Sequence, residues 1–490
     1  MEKKTALILF STLLSCFLAP SSAKRPTKPH FLMNLDTNRS NFNAIDLSDW
    51  KNIIYSQKRL KDNDLIKRLP GQPKVDFKQY SGYVTVNQTQ GRALFYYLAE
   101  ADQDSANNTL PLLLWLNGGP GCSSFGYGAM EELGPFRVNS DGKTLYKNNF
   151  AWNKAANVLF LESPVGVGFS YSNTTNDLDT NGDERTATDN FIFLLNWLKR
   201  FPEHSKREFY ISGQSYAGHY VPQLAQTILH HNEKVKQYFI NLKGIIIGNA
   251  WINDETDAKG VYEYFASHAL IPHYVADGVL NYCDFTPTAT EQSDKCKEIS
   301  SEAYNKDIGK IDTYNIYAPL CPAGSSLTNK PKITSAMSFD PCNDQYVYAY
   351  LNMREVQKAL HAKVTKIPYK WQFCNDAVFN KWQDSPSTVL PLLREIMTRG
   401  LRVWLYSGDI DGNVPVTSTQ QTMKLMALPI KISWYPWYIF EEVGGYATVY
   451  EGDLTFTTIR EAGHDAPSYQ PARALFLIRH FLAGTEPSNP

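Results

Sequence analysis

The sequence Ile-Ser-Gly-Gln-Ser-Tyr-Ala-Gly-His, centred on Ser215, constrains the fold of this chain more than any other segment. An apolar run, Phe209–Ile211, leads into it, and Tyr216–His231 can continue as a helix. A serine at such a strand–turn–helix junction is typical of a nucleophile elbow, which lifts the hydroxyl above the edge of a sheet. Small residues must flank the serine because the turn is cramped, and Gly213 and Ala217 fill those places. A plain serine-glycine turn that caps a helix is the alternative.

Two later turns supply the partners that a serine nucleophile needs. Arg402–Tyr406 is a strand-like run followed by Ser-Gly-Asp-Ile-Asp411, and Leu454–Ile459 leads into Arg-Glu-Ala-Gly-His464. An uncharged serine needs an imidazole base, and the imidazole needs a carboxylate to fix its tautomer. The order Ser215, Asp411, His464 is that of α/β-hydrolase triads. The sequence therefore predicts these three residues as nucleophile, acid and base.

A second aspartate, Asp409, lies beside the predicted acid. It can orient Asp411 or cap the turn, and the sequence leaves both roles open. The alternation of Asp409, Asp411 and Asn413 also begins like a calcium loop, but Val414 stands at the glycine position and Gln420 at the bidentate-glutamate position. The sequence has no Cys-x-x-Cys pair and no His-Glu-x-x-His motif, so no metal site and no cofactor are predicted.

Strand-like and helix-like segments alternate along the chain. Tyr83–Val86 and Ala93–Leu98 are typical of a hairpin. Further strands are predicted at Leu110–Leu116, Asn157–Leu161, Glu208–Ile211, Leu242–Ile247, Arg402–Tyr406 and Leu454–Ile459, and helices at Glu184–Arg200 and Pro471–Ala483. The pattern predicts the α/β class, with an α/β-hydrolase fold built on a mixed, mostly parallel sheet that has helices on both faces and an inserted cap.

Four blocks of sequence resemble a known family. They are Trp115-Leu-Asn-Gly-Gly-Pro-Gly-Cys-Ser-Ser124, Glu132-Leu-Gly-Pro-Phe136, Glu162-Ser-Pro-Val-Gly-Val-Gly-Phe-Ser-Tyr-Ser172 and Gly248-Asn249. With the elbow and the Gly-His turn, they resemble the serine carboxypeptidases, specifically the plant serine carboxypeptidase-like proteins, from about Val75 to the C-terminus. The resemblance implies Ser215, Asp411 and His464 as the triad. It also implies the backbone N–H groups of Gly119 and Tyr216 as oxyanion donors, which agrees with the glycine-rich turn after a buried strand.

The resemblance further implies a site for the terminal carboxylate of a substrate, formed by Asn117, Gly118, Glu132 and the residue before the serine. The family carries Glu at that last position, and this chain has Gln214. Two close carboxylates cannot both ionise cheaply, so such a pair donates to a substrate carboxylate only at acid pH, whereas a Gln amide donates at any pH. Either Gln214 keeps carboxylate binding and relaxes the acid requirement, or it marks an altered substrate.

The first residues predict the compartment. Lys3 and Lys4 precede the apolar run Thr5–Ala19, and Ser21-Ser-Ala23 offers small residues for cleavage, so residues 1–23 are predicted to be a signal peptide. No later run reaches transmembrane length and the net charge is −1, so neither a membrane nor nucleic acid is expected as a partner. We expect a secretory protein that is extracellular or vacuolar.

The seven cysteines and four glycosylation sequons are consistent with a secretory protein. Cys16 lies in the predicted signal, and the remaining six favour disulfides, although sequence alone leaves fifteen pairings open. The family resemblance implies the pairs Cys122–Cys374, Cys283–Cys296 and Cys321–Cys342. The sequons begin at Asn38, Asn87, Asn107 and Asn173.

The chain is predicted to divide into a core and an insertion. Residues 24–74 are polar with few apolar repeats and are expected to form a flexible extension or short propeptide. The hydrolase core is expected at 75–250 and 371–490, with a cap at 251–370 inserted after the sixth predicted strand. The polar stretch 324–333 of the cap is expected to be open to proteolysis.

The leading hypothesis is a secreted serine carboxypeptidase that releases C-terminal amino acids through an acyl-enzyme on the triad. The first alternative is an acyltransferase, because relatives in this plant family use the same triad to move acyl groups from sugar esters to acceptor alcohols. The second is an inert secreted binding protein, against which an intact triad argues. Asn117 and Glu132 favour peptidase chemistry, and Gln214 weakens that preference. The expected partners are C-termini of peptides or proteins, and a homodimer is compatible with this reading.

Overall fold

The computed structural model describes residues 42, 50–102, 109–235, 239–303, 308–309, 311–322, 327–328, 339–363, 366–367 and 369–487. The predicted signal peptide, Asn38, Asn107 and most of the stretch 324–333 lie outside these described residues.

Within the described residues, eleven strands form one mixed sheet. In spatial order they are β1 (Leu65–Ile66), β2 (Gln79–Asn87), β3 (Arg92–Ala99), β7 (Asn157–Leu161), β4 (Leu112–Leu116), β8 (Phe209–Gln214), β9 (Leu242–Gly248), β10 (Arg402–Gly408), β13 (Leu454–Ile459), β12 (Glu442–Tyr450) and β11 (Ile430–Ile439). The strands from β7 to β13 in this order pair in parallel, and the strands at both edges pair antiparallel. A separate hairpin joins β5 (Phe136–Val138) and β6 (Leu145–Lys147).

Helices cover both faces of this sheet. They are Leu60–Asp64, Asp183–Arg200, Ala217–Lys234, Asp254–Ser267, His273–Tyr282, Asp294–Glu302, Asn343–Leu351, Arg354–Ala359, Asp376–Asn380, Leu390–Thr398, Val416–Met426, Ala466–Tyr469 and Pro471–Ala483, with a π-helix at Ser124–Glu132 and short 3-10 helices at Trp50–Ile53, Trp152–Lys154, Thr175–Asp179 and Pro202–His204.

Alternate residues of the central strands enter two buried clusters, one on each face. In β4, Leu113 and Trp115 pack with the π-helix and Pro471–Ala483, whereas Leu112 and Leu114 pack with helices Asp183–Arg200 and Ala217–Lys234. Because both of its faces are covered, β4 is apolar at every position, as buried parallel strands often are. The predicted α/β-hydrolase fold is confirmed.

The strands β11 and β12 were not predicted from the sequence. They form one edge of the sheet, where most β11 side chains are at least partly exposed and Pro436 interrupts the run. Proline cannot donate to a ladder and is therefore tolerated only at an edge or a bulge. Because these side chains are exposed, the strand lacks the alternation of apolar and polar residues on which a sequence-based prediction depends.

The second half of the predicted N-terminal extension belongs to the core, so the expectation of a flexible segment through residue 74 is wrong. β1 pairs with β2. Asp64 is buried and accepts a hydrogen bond from the guanidinium of Arg200 at 2.6 Å, while Gln57 Oε1 accepts from Arg200 Nε at 3.0 Å. Removing these partners would leave Arg200 as an unpaired buried charge, which costs several kcal/mol.

The chain between β9 and β10 contains the predicted insertion, and it packs in two parts. Its first three helices surround a cluster of their own, including Tyr262, Phe265 and Val275, which reaches Ile410 and Val414 beside the acid turn. Its later helices, Asn343–Leu351 and Arg354–Ala359, contribute instead to the buried cluster of the sheet. The first part is therefore positioned to cover the edge of the sheet where the predicted triad lies.

The three predicted disulfides are confirmed. Cys122–Cys374, Cys283–Cys296 and Cys321–Cys342 all have bonded sulfur atoms, and the first pair joins residues 252 positions apart. Such bonds indicate folding in an oxidising compartment, as in the secretory pathway. Among the described helices, none is long and apolar enough to span a bilayer. Of the two sequon asparagines that the structure describes, Asn173 is exposed and Asn87 is half-buried.

A fully buried carboxyl group, Glu162 at the end of β7, joins three loops. It accepts hydrogen bonds from the hydroxyl of Ser123, from the backbone N–H of Phe169 at 2.6 Å and from Trp371 Nε1 at 3.3 Å. Ser123 in turn caps the π-helix. Burial raises the pKa of Glu162 to about 7, although the hydrogen bonds to its carboxylate act in the opposite direction and lower the pKa.

This shift predicts that the fold is more stable in acid. The folded state binds the Glu162 proton more tightly than the unfolded state, so the contribution is complete below about pH 4.5 and is lost as the pH rises through about 7. Glu162→Gln should remove roughly 2 to 3 kcal/mol of the decline in unfolding free energy between pH 4.5 and 7. Urea denaturation at both pH values measures it. Equal declines in the wild type and the variant would contradict this assignment.

Candidate active site

Ser215 lies at a strained turn between β8 and the helix that begins at Ala217. Its φ angle is +61°, a left-handed conformation that costs a residue with a side chain roughly 1 to 2 kcal/mol. Three backbone hydrogen bonds hold this conformation. Ser215 N–H donates to Gly248 O at 3.0 Å, and Ser215 O accepts from the N–H groups of Gly218 at 2.9 Å and Trp251 at 3.1 Å. A Cβ at Gly213 would lie 2.6 Å from the Cβ of Ala217, which explains the small flanking residues.

The structure brings Asp411 and His464 together. His464 Nδ1 lies 2.7 Å from Asp411 Oδ2, and both side chains are almost completely buried. Asp411 follows β10 and His464 follows β13, and these two strands are parallel neighbours. The carboxylate can therefore fix the imidazole tautomer that leaves Nε2 available as a base.

The carboxylate of Asp411 accepts hydrogen bonds from three donors besides His464. Asn249 Nδ2 donates to it at 2.8 Å, and the backbone N–H groups of Asn413 and Val414 donate at 2.8 Å and 3.2 Å. Asn249 has a φ of +42° and accepts from Gly408 N–H at 3.1 Å, so it links the ends of β9 and β10. The sequence contained Asn249 within a motif but indicated no role for it.

Asp409, whose role the sequence left open, caps the base turn. Its carboxylate accepts from Glu461 N–H at 2.6 Å, and burial raises its pKa. Asp409 therefore joins the acid turn to the base turn, and Asp411 is the residue that contacts the imidazole.

A residue of the insertion, Tyr314, also packs on the base. Its carbonyl accepts from His464 N–H at 2.7 Å, and its ring meets the imidazole edge-on at 4.8 Å. A Cβ at Gly463 would lie 2.2 Å from Tyr314 O, so this close approach requires glycine. No local sequence pattern indicated the contact, because 150 residues separate the two positions along the chain.

The glycine-rich loop after β4 lies against the elbow. A Cβ at Gly118 would lie only 2.4 Å from the backbone N of Tyr216, and Gly119 has a φ of +112°. The Tyr216 hydroxyl donates to the buried Asp183 at 2.9 Å and lies 2.6 Å from Ser385 Oγ, so both ends of Tyr216 are fixed. The predicted oxyanion donors are thus carried by two rigid segments in contact.

Two of the predicted carboxylate-binding residues are hydrogen-bonded to each other. Trp115 Nε1 donates to Asn117 Oδ1 at 2.6 Å, which turns Asn117 Nδ2 toward Glu132 Oε1 at 2.8 Å. Gln214, by contrast, bonds to Asp465, with Nε2 and Oδ1 at 2.6 Å. Asp465 follows the predicted base and was not predicted as a site residue.

The sheet, the left-handed serine after β8 and the Asp–His pair after β10 and β13 together define an α/β-hydrolase. The serine carboxypeptidase family profile matches residues 70–484. Serine carboxypeptidase-like 40 of Arabidopsis thaliana is 58% identical over 432 residues, covering 88% of this chain and 84% of that protein. Serine carboxypeptidase 24 of Arabidopsis thaliana is 51% identical over 442 residues, covering 88% and 94%.

The solved structures include the same family. The structure of Kex1(Δ)p, a prohormone-processing carboxypeptidase from Saccharomyces cerevisiae, matches with a TM-score of 0.70 and 26% identity, covering 86% of this chain and 96% of that one. The chain therefore belongs to the serine carboxypeptidase family, and it is a serine-type carboxypeptidase, a hydrolase, as its sequence predicted.

The contact between Gly118 and Tyr216 predicts a severe effect of a single methyl group. In Gly118→Ala, the new Cβ would cover the backbone N–H of Tyr216. Losing one oxyanion donor lowers kcat by about 10² to 10³-fold, so we expect a loss of this size with a smaller change in KM. Steady-state kinetics on a blocked dipeptide measures it, with the melting temperature recorded in parallel.

Gly278→Ala is the matched control, because the nearest atoms to its Cβ belong to the side chains of Ile299 and Tyr282, far from the elbow in sequence and in a helix of the insertion. A Gly118→Ala enzyme with near wild-type kcat would contradict the placement of the oxyanion site.

Proposed function

We propose that this chain is a secreted serine carboxypeptidase that releases C-terminal amino acids from peptides through an acyl-enzyme on Ser215. The proposal rests chiefly on the hydrogen bond between His464 and Asp411 at the sheet edge that carries the strained Ser215. The bond between Gln214 and Asp465 supports it, because each of these residues is adjacent to a member of the triad. The nucleophile turn and the base turn therefore face each other.

In the proposed reaction, Ser215 Oγ attacks the carbonyl carbon of the last peptide bond while His464 Nε2 accepts the hydroxyl proton. The backbone N–H groups of Gly119 and Tyr216 stabilise the oxyanion. His464 then passes the proton to the departing amine, the C–N bond breaks, and the C-terminal amino acid leaves. Water, deprotonated by His464, attacks the acyl-enzyme and regenerates Ser215 with release of the shortened peptide.

The restriction of cleavage to the last peptide bond would come from the glycine-rich loop that packs against the elbow. Asn117 and Glu132 form a buried polar pair at the start of the glycine-rich loop, next to Gly118. A substrate carboxylate bound there would place only the last peptide bond at Ser215. Such a site favours peptides over the sugar esters used by an acyltransferase, whose leaving group carries no carboxylate.

We further propose that residues 1–23 direct the chain into the secretory pathway, with the extracellular space or the vacuole as its destination. The three disulfides support this route. Mass spectrometry of the protein purified from its native source would identify the mature N-terminus and any glycan on the exposed Asn173.

Replacing the nucleophile tests the function. Ser215→Ala should lower kcat on blocked dipeptides by several orders of magnitude and leave roughly 10³-fold catalysis over water from the remaining site. Ser212→Ala, which removes a buried hydroxyl on the strand that leads to the elbow, should keep near wild-type turnover because its Oγ donates to Leu114 O, a carbonyl of the neighbouring strand β4.

The same preparations should be assayed on acyl-glucosides with acceptor alcohols. Transfer to alcohols without peptide hydrolysis would identify an acyltransferase. Absence of both activities in the wild type would identify an inert binding protein.

A further inference from the structure

A buried carboxylate, Asp183, lies behind the residue that follows the nucleophile. It is the first residue of the helix Asp183–Arg200, and its side chain is completely buried. Its Oδ1 accepts hydrogen bonds from the Tyr216 hydroxyl at 2.9 Å and from Trp382 Nε1 at 3.0 Å. Its Oδ2 accepts from Gln223 Nε2 at 2.6 Å and lies 3.1 Å from His219 Nδ1. Four donors therefore converge on one carboxylate, which only accepts hydrogen bonds.

Two of these donors also enclose the aromatic ring of Tyr216. The ring stacks on His219 with the ring centroids 4.6 Å apart, and it meets Trp382 edge to face at 5.9 Å. Because a carboxylate only accepts, His219 Nδ1 carries the proton that faces Asp183. The carboxylate therefore holds the two rings that pack against Tyr216 as well as the Tyr216 hydroxyl itself.

The Tyr216 hydroxyl has a fixed direction. Its single proton faces Asp183, so Ser385 Oγ, which lies 2.6 Å from the phenol oxygen, donates to that oxygen. Burial raises the pKa of Tyr216 far above its ordinary value, and the charge of Asp183 raises it further. The hydroxyl therefore stays a donor at acid and neutral pH. Hydrogen bonds to an ionised acceptor are about twice as strong as neutral ones, so this bond is a firm anchor for the ring.

The backbone of Tyr216 carries a predicted oxyanion donor. Its N–H belongs to the peptide group between Ser215 and Tyr216, whose carbonyl accepts from the N–H groups of Gly218 and Trp251. Ser215 has a φ of +61°, and relief of that strain would tilt this peptide group. A donor stabilises an oxyanion only when it lies about 2.7 to 3.1 Å from the developing charge. An anchored Tyr216 ring opposes the tilt from the other side of the peptide group.

The local fold around Asp183 has supports that do not involve its carboxylate. Asp384 Oδ2 accepts from the N–H of Glu184 at 3.0 Å, and Asp384 O accepts from the N–H of Asp183 at 3.4 Å. Further along the same segment, Ser387 O accepts from the N–H of Asp254 at 2.9 Å. Backbone and capping bonds thus attach the segment after Trp382 to the helix and to the insertion. The carboxylate adds the anchor for Tyr216.

We propose that Asp183 is a positioning residue for the reaction: through the Tyr216 hydroxyl, it directs the backbone N–H of Tyr216 at the oxyanion. The inference rests on the proposed acyl-enzyme chemistry at Ser215. Asp183 contacts no reacting atom, so its effect reaches the transition state through Tyr216. The ground-state complex carries no oxyanion. Loss of the anchor should therefore lower kcat and kcat/KM together and leave KM nearly unchanged.

Two substitutions test each end of the anchoring bond. Asp183→Asn keeps the size of the side chain but turns an amide N–H₂ toward donors, and we expect kcat on a blocked dipeptide to fall by about ten- to hundredfold. Tyr216→Phe removes the hydroxyl and leaves the other three donors on Asp183, so it remains informative if Asp183→Asn does not fold. We expect kcat to fall by about tenfold, with KM within about twofold. Wild-type kcat in Tyr216→Phe would overturn the proposal.

The double variant shows whether Asp183 acts through Tyr216. If it does, Asp183→Asn/Tyr216→Phe should have a kcat within about twofold of Asp183→Asn alone, because the second change removes a group that has already lost its anchor. A residue that supports the fold in general would give effects that multiply. Multiplied losses in the double variant would therefore overturn the proposal.

Asp189→Asn is the matched control. Asp189 is a second buried carboxylate on the same helix, and it pairs with Arg92 at 2.7 Å. Its loss should lower the melting temperature and leave kcat within about twofold of the wild type. An equal fall in kcat in Asp183→Asn and Asp189→Asn would assign the effect to general destabilisation and refute the positioning role.

Failure of this inference can be told apart from failure of the proposed function. A wild type that hydrolyses peptides, with unchanged kcat in Tyr216→Phe, would refute the positioning role and keep the carboxypeptidase. A wild type that only transfers acyl groups from acyl-glucosides would refute the peptidase function. The same kcat comparison would then test Asp183 on the transfer reaction, which also forms an oxyanion at Ser215. A wild type with neither activity would refute both.

Discussion

The parallel pairing of β8, β9, β10 and β13 is the constraint on which the site depends. Their registers align Gln214 with Gly248, Gly248 with Tyr406, and Gly408 with Ile459. Parallel strands end at the same edge of a sheet, so the elbow, Asn249, the acid turn and the base turn all emerge together. A shift of one residue in any of these pairings would exchange the faces of that strand and separate the triad.

Irregular loops at this edge are stabilised by buried carboxylates in place of regular backbone pairing. Asp411 accepts hydrogen bonds from two backbone N–H groups and two side chains. Glu162 accepts from the loops at Ser123 and Phe169, and Asp409 accepts from a backbone N–H of the base turn. Each accepts bonds that loop N–H groups would otherwise lack, since no strand or helix supplies partners there. The same acids also make the stability of the fold depend on pH, because burial raises the pKa of Glu162 and Asp409.

The sequence predicted the parts of this arrangement that are local. Buried strands such as Asn157–Leu161 are short apolar runs with clear ends, and the elbow and the Gly-His turn are motifs whose chemistry depends on neighbouring residues. The bond between Gln214 and Asp465 was not predictable in this way, because it joins positions 251 apart. Tyr314 was missed for the same reason. The N-terminal segment was misjudged because its buried residues are few and of mixed type. Gln57, Asp64 and Gln72 are polar, and Ile66 and Leu69 alone form no apolar repeat.

The long disulfide has a consequence for biosynthesis. Cys122 leaves the ribosome 252 residues before Cys374, and four other cysteines appear in the interval. Those four pair over separations of only 13 and 21 residues. Short loops close at lower entropic cost than long ones, so these pairs can form as soon as they emerge. Cys122 is then left without a competing thiol when its partner arrives. The order of the cysteines along the chain thus guides vectorial oxidation in the lumen toward the native pairing.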